Sequence, residues 1–138
     1  MVFGTFDILH KGHLNFFKQA RGLAKNPYLI VSVARDVNVK KIKGQKSLYG
    51  EKARLKTIKK SALVDKAVLG GSKSYLPHII KQNPKIIALG YDQKAYVKGL
   101  RQKLSYNGLP VKLVKLKAFY PRIYKSSLAK QSQKFDKI

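Results

Sequence analysis

The chain has 138 residues, with 30 Lys and Arg against 6 Asp and Glu, a formal charge of +24 and no cysteine. That length suits one core, a hydrophobic content of 44% can fill it, and the missing cysteines exclude disulfides, thiol nucleophiles and Cys-ligated zinc. No run approaches the ~20 apolar residues of a membrane span, and Met1-Val2-Phe3-Gly4 lacks the basic-then-apolar pattern of a secretion signal, so a cytoplasmic setting is expected.

Met1 to Gly4 reads as a first strand, short enough to suggest residues before it. Leu14, Phe16, Phe17, Ala20 and Leu23 recur at helical spacing, and Asn26-Pro27 ends that helix. Tyr28 to Val33 is a continuous apolar run, the signature of a buried strand. Residues 36–48 are polar and Lys-rich and read as a loop. Glu51 to Lys60 is a helix with Ala53, Leu55 and Ile58 for packing. Ala67 to Leu69 is a strand stopped by Gly70-Gly71, and Tyr75 to Gln82 a helix stopped by Asn83-Pro84. Ile86 to Leu89 is a strand, Ala95 to Tyr106 a helix, and Val111 to Leu116 a strand. Ser126 or Ser127 caps a last, basic helix over 125–138.

This alternation predicts an α/β fold: a Rossmann-like, doubly wound parallel sheet in a single domain covering 1–138. Ligands of such sheets bind beyond the carboxyl ends of the strands, near the switch point. The six acids are Asp7, Asp36, Glu51, Asp65, Asp92 and Asp136. In a chain so depleted of carboxylates, those that remain are expected to have specific partners. The positive charge suits nucleotides or nucleic acids, or else is an ordinary solvated lysine surface.

The first strand runs into Gly4-Thr5-Phe6-Asp7-Ile8-Leu9-His10-Lys11-Gly12-His13 at the start of a helix. A helix N-terminus offers unpaired N–H groups and the positive end of its dipole. Gly4 and Gly12 let backbone approach a ligand, and the two imidazoles can donate to phosphoryl oxygens. The alternatives are one core and one surface histidine, or half a metal site. Zinc-binding helices favour i, i+4 spacing with a third ligand, and the remaining histidine, His78, lies far along the chain.

The ten-residue string resembles the signature of the cytidylyltransferase-like nucleotidyltransferase superfamily, the HxGH type. Val33-Ala34-Arg35-Asp36, Lys41-Ile42-Lys43-Gly44, Glu51-Lys52-Ala53-Arg54, Val64 to Gly70 and Asn83 to Gln93 resemble its archaeal-type FAD synthase branch. The resemblance implies in-line attack on the α-phosphorus of ATP, with Mg²⁺ and with FMN as the favoured acceptor. It implies that Gly4, Thr5 and Phe6 pack along the nucleotide, with Asp7 and Gly12 close by and His10 and His13 on the triphosphate. Lys41 and Lys43 would reach the phosphates from a mobile loop, and Asp36 would lie near the acceptor or metal. Gly90 and Asp92 would lie near base and ribose, Ser126 and Ser127 would touch phosphate, and Arg54 and Asp65 would be structural or at a subunit contact. No residue is assigned as a metal ligand, and a homodimer is implied. Tyr91, Tyr96, Phe119 and Tyr120 are the aromatic candidates for a flavin wall.

The late cytidylyltransferase motif, Arg-Thr-x-Gly-Ile-Ser-Thr-Thr, is absent. Tyr120-Pro121-Arg122-Ile123-Tyr124-Lys125-Ser126-Ser127 stands in its place. The C-terminal cysteines frequent in archaeal-type FAD synthases are also missing. Two alternatives stand beside the FMN reading: a CTP-dependent enzyme acting on glycerol 3-phosphate or a similar alcohol phosphate, and a non-catalytic nucleotide- or RNA-binding protein on the same fold.

Overall fold

The computed structural model describes residues 1–90, 93 and 99–118. Five strands are present there: β1 (Val2–Gly4), β2 (Ile30–Val33), β3 (Lys66–Leu69), β4 (Ile86–Leu89) and β5 (Lys112–Lys115). The helices are α1 (Lys11–Arg21), α2 (Asp36–Lys43), α3 (Glu51–Lys59), α4 (Tyr75–Gln82) and α5 (Leu100–Tyr106). β1 pairs with β2, β2 with β3, and β4 with β5, all parallel. The Met1 nitrogen donates to the Ile86 carbonyl at 2.8 Å and the Ala88 N–H to the Met1 carbonyl at 3.0 Å, joining β4 to β1. The resulting order is β3-β2-β1-β4-β5. The chain winds outward from β1 in both directions, so the switch point lies between β1 and β4.

Strand alternation decides which side chain meets which helix layer. Val2, Val31, Val33 and Ala88 pack with Phe17 of α1 and Ile58 of α3. Phe3, Ile30, Ile87 and Leu89 pack with Ile79 of α4 and with Leu100 and Leu104 of α5. Burying each of these large side chains contributes roughly 1.5–3 kcal/mol. The expected doubly wound parallel sheet is the one observed.

One expectation is corrected. The stretch read as a loop over 36–48 begins with helix α2, and the lysines placed on a mobile loop stand on its last turn. The lysines masked a helical pattern: Val39 is buried, Asp36 occupies the first turn, and Gly44 closes the helix at φ 73, a left-handed conformation suited to glycine. Lys is itself a good helix former. Of the helix expected over 95–106, the described part is α5; the expected helix beyond Ser126 lies outside the described residues.

Candidate active site

The turn after β1 is a short segment with several simultaneous demands. The Gly4 carbonyl accepts from Ala34 N–H at 2.9 Å, which keeps the turn beside the end of β2. Phe6 adopts φ 53, uncommon for a residue with a side chain. That conformation folds its ring back over Gly4, where an added Cβ would stand 2.6 Å from the ring's Cζ. Glycine is therefore sterically required at position 4. The Phe6 ring meets the His13 ring edge-on at 5.3 Å and Phe17 at 5.4 Å. It is only 3% exposed, so its ring is part of the core rather than open to a nucleotide.

α1 begins with an unusual reciprocal cap. The Gly12 N–H donates to His10 Nδ1 at 3.1 Å, and the His10 N–H donates to His13 Nδ1 at 3.3 Å. A ring nitrogen that accepts from an amide carries no proton, so both neutral imidazoles hold theirs on Nε2. The rings stack with centroids 3.8 Å apart. Burial lowers the pKa of both. His13 falls to about 3, held there first by desolvation and then by the charges of His10 and Lys43. At neutral pH the motif is thus two stacked neutral imidazoles at a helix N-terminus, with the His10 Nε2 buried and the His13 ring also meeting the Ile8 carbonyl; an imidazole Nε2–H is the donor type that phosphoryl oxygens accept from. Lys43 stands near enough to act on His13. Lys41 is exposed on the same helical turn.

The carboxylates hold this arrangement together. Asp7, 5% exposed, accepts the N–H groups of Leu48 and Tyr49 at 2.6 and 2.8 Å. Arg54, 1% exposed, donates Nε to the Tyr49 carbonyl, Nη1 to the Thr5 carbonyl and Nη2 to Asp36, at 3.0, 2.8 and 2.8 Å. Asp36 and Glu51 exchange caps: each carboxylate accepts the other residue's N–H, at 3.1 and 3.2 Å, so each helix start receives a negative charge. The Arg54 guanidinium, ahead of its other partners, holds the Asp36 carboxyl below its ordinary pKa.

Arg54, expected to be structural or at a subunit contact, has a three-way grip that the sequence did not reveal, and neither did it reveal the hold of Asp7 on 48–49. A signal was present. In a chain whose usual cation is Lys, an arginine marks a need for a planar multi-donor fork. Arg21 spans the Leu63 carbonyl and Asp65, Arg35 spans the Gly70 carbonyl and Glu51, and Arg54 spans two carbonyls and Asp36. Gln93 was also missed. Its Oε1 accepts from Gly90 N–H at 2.8 Å and its Nε2 donates to the Phe3 carbonyl at 2.6 Å, tying the end of β4 to β1 across the switch point.

Among the described acids, Asp65 does not join this region. It sits before β3, at the opposite end of the sheet, holding Leu29 N–H and Arg21. His78 bonds Ser32 at 2.8 Å from α4, in the other helix layer. Among the described residues no three His, Asp or Glu side chains gather as a metal-ligand set. Asp92, Ser126, Ser127 and the aromatic candidates Tyr91, Tyr96, Phe119 and Tyr120 lie outside the described residues.

A family model described as cytidylyltransferase-like matches residues 1–132. The chain belongs to the cytidylyltransferase-like family. Among similar members, the FAD synthase of Korarchaeum cryptofilum is 42% identical over 120 residues, 86% of this chain and 81% of that protein. The FAD synthase of Thermococcus sibiricus is 38% identical over 136 residues, 98% of this chain and 88% of that one. A crystal structure, of the lipopolysaccharide core biosynthesis protein from Thermoplasma volcanium, superposes with a TM-score of 0.79 at 36% identity, covering 86% of this chain and 95% of that one. In this family member the turn after β1, the start of α1, the last turn of α2 and the end of β4 all lie at the carboxyl ends of the strands. No helix among the described residues is long and apolar enough to cross a membrane.

Proposed function

We propose that this chain transfers the adenylyl group of ATP to the phosphate of FMN, making FAD and pyrophosphate. The observation that carries the chemistry is the reciprocal capping of His10 and His13, which puts both ring protons on Nε2 at the N-terminus of α1. The acceptor rests on likeness to archaeal FAD synthases. An oxygen of the FMN phosphate attacks the α-phosphorus, a new P–O bond forms, and the bond to the β-phosphate bridging oxygen breaks as pyrophosphate leaves. FMN phosphate is ionised at neutral pH, so the step needs neither a protein nucleophile nor a general base.

The residues then act by position and charge. His10 and His13 donate to the oxygens on which charge develops. Lys43, joined by Lys41, supplies cation to the leaving pyrophosphate. Gly4, Thr5 and the Phe6 backbone give the nucleotide a close floor, with Gly90 on the β4 side for base and ribose. Mg²⁺ takes phosphate and water oxygens with one or two carboxylates, so it would arrive with the triphosphate; of the described carboxylates at this end of the sheet, Asp7, Asp36 and Glu51, half-exposed Asp36 is the one that could lend it an oxygen. Bound there, it would neutralise phosphate charge.

The test is FAD formation from ATP and FMN by wild type and by His10→Ala and His13→Ala. Loss of one preorganised donor costs about 10²–10³ in kcat. Variants within tenfold of wild type would remove the histidines from the mechanism.

A further inference from the structure

Leu48 and Tyr49 invert the usual arrangement of a loop. Their side chains are 49% and 48% exposed. Their backbone is clamped: both N–H groups go to buried Asp7, and the Tyr49 carbonyl accepts from Arg54 Nε at 3.0 Å and from Ser47 Oγ at 2.7 Å. Single exposed apolar side chains are commonplace. Two large ones consecutive in the chain, on backbone bonded to a buried acid and a buried arginine, are held half-exposed on a fixed backbone. Such a surface suits a flat ring because little ordering remains for binding to impose.

Its location narrows the ring it can take. In the order β3-β2-β1-β4-β5, Gly90 ends β4 on one flank of the β1 turn. Asp36, at the start of α2, and the 48–49 pair lie on the other flank, tied to that turn through Arg54 and Asp7. With triphosphate over His10 and His13 and the base toward β4, the second substrate approaches from the β2 flank, past Lys43.

We infer that Leu48 and Tyr49 form the apolar wall that receives the isoalloxazine ring of FMN. This assignment rests on the FMN reading above. The wall determines acceptor preference, whereas the adenylyl chemistry stays with the histidines.

Tyr49→Ala and Leu48→Ala keep the backbone N–H groups that Asp7 holds. Each is expected to raise KM for FMN about tenfold, the scale of one lost ring contact, with KM for ATP unchanged. FMN fluorescence gives a readout independent of turnover: wild type and Tyr49→Phe quench it on binding, and Tyr49→Leu quenches it much less. If wild type makes FAD while both truncations leave KM for FMN and the quenching unchanged, the wall is overturned and the FMN reading stands. If wild type makes no FAD and does not bind FMN, the FMN reading falls and the wall falls with it.

Discussion

His10 and His13 cap each other. The His10 side chain accepts Gly12 N–H, the His13 side chain accepts His10 N–H, and the two rings stack 3.8 Å apart. One pair of residues thereby starts the helix and fixes both ring protons on Nε2. Stability and activity are coupled at these positions, and substitution can separate them. His10→Ala removes a cap worth about 1 kcal/mol as well as a donor. His10→Asn retains a side-chain oxygen for the cap. We expect His10→Asn to recover most of the lost melting temperature while kcat stays depressed about 10²-fold, measured by thermal unfolding alongside pyrophosphate release.

The pH dependence of stability follows from the same ring. His13 titrates at about 3 when folded against 6.5 when exposed. Between those values the unfolded chain holds the proton and the folded chain does not, so acid favours unfolding. Its contribution is complete above pH 6.5 and declines as the pH falls toward 3. His10 and His78, also lowered by burial, add in the same direction. Denaturant unfolding between pH 7 and 4 should show stability rising with pH, and His13→Asn should flatten the slope by nearly one proton.

Arg54 should be intolerant of change. It is buried and bonds two carbonyls and Asp36, so Arg54→Met leaves the Thr5 carbonyl without this donor, while the Tyr49 carbonyl keeps Ser47 Oγ and Asp36 keeps the Glu51 N–H. Asp36 is 49% exposed and is rescued by water, so the cost is set mainly by the Thr5 carbonyl, at about 1–3 kcal/mol. Arg54→Lys should recover only part of this, because an ammonium lacks the fork's geometry. The midpoint of urea unfolding measures both.

Gly4→Ala tests the turn. The new methyl would press on Cζ, Cε2 and Cε1 of Phe6 at 2.6–2.9 Å. Phe6 would have to leave its place against His13 and Phe17. Overpacking of this kind costs about 1–3 kcal/mol, and because Phe6 braces His13 the variant should lose turnover beyond what its melting temperature explains. Pairing it with Phe6→Leu, which vacates that space, should restore part of the stability.

The strands were legible because a parallel sheet buries both faces, so Tyr28 to Val33 and Ile86 to Leu89 appear as unbroken apolar runs. The β1 turn and the start of α1 were legible because glycines and histidines at fixed spacing are uncommon by chance. α2 was not, since its lysines resemble a solvated loop and its packing rests on Val39 alone as a buried residue. The roles of Asp7 and Arg54 were hidden for a different reason. Their partners are backbone groups at Thr5, Leu48 and Tyr49, and pattern in a sequence does not report which amide or carbonyl a side chain will find.

The most direct test of the account is to incubate the chain with Mg²⁺, ATP and FMN, and in parallel with CTP and glycerol 3-phosphate, separating products by chromatography. The account predicts FAD and pyrophosphate in equal amounts from the first mixture, and neither from the double variant His10→Ala/His13→Ala. Pyrophosphate only in the CTP mixture would contradict the acceptor, and FAD formed at an undiminished rate by the double variant would contradict the site.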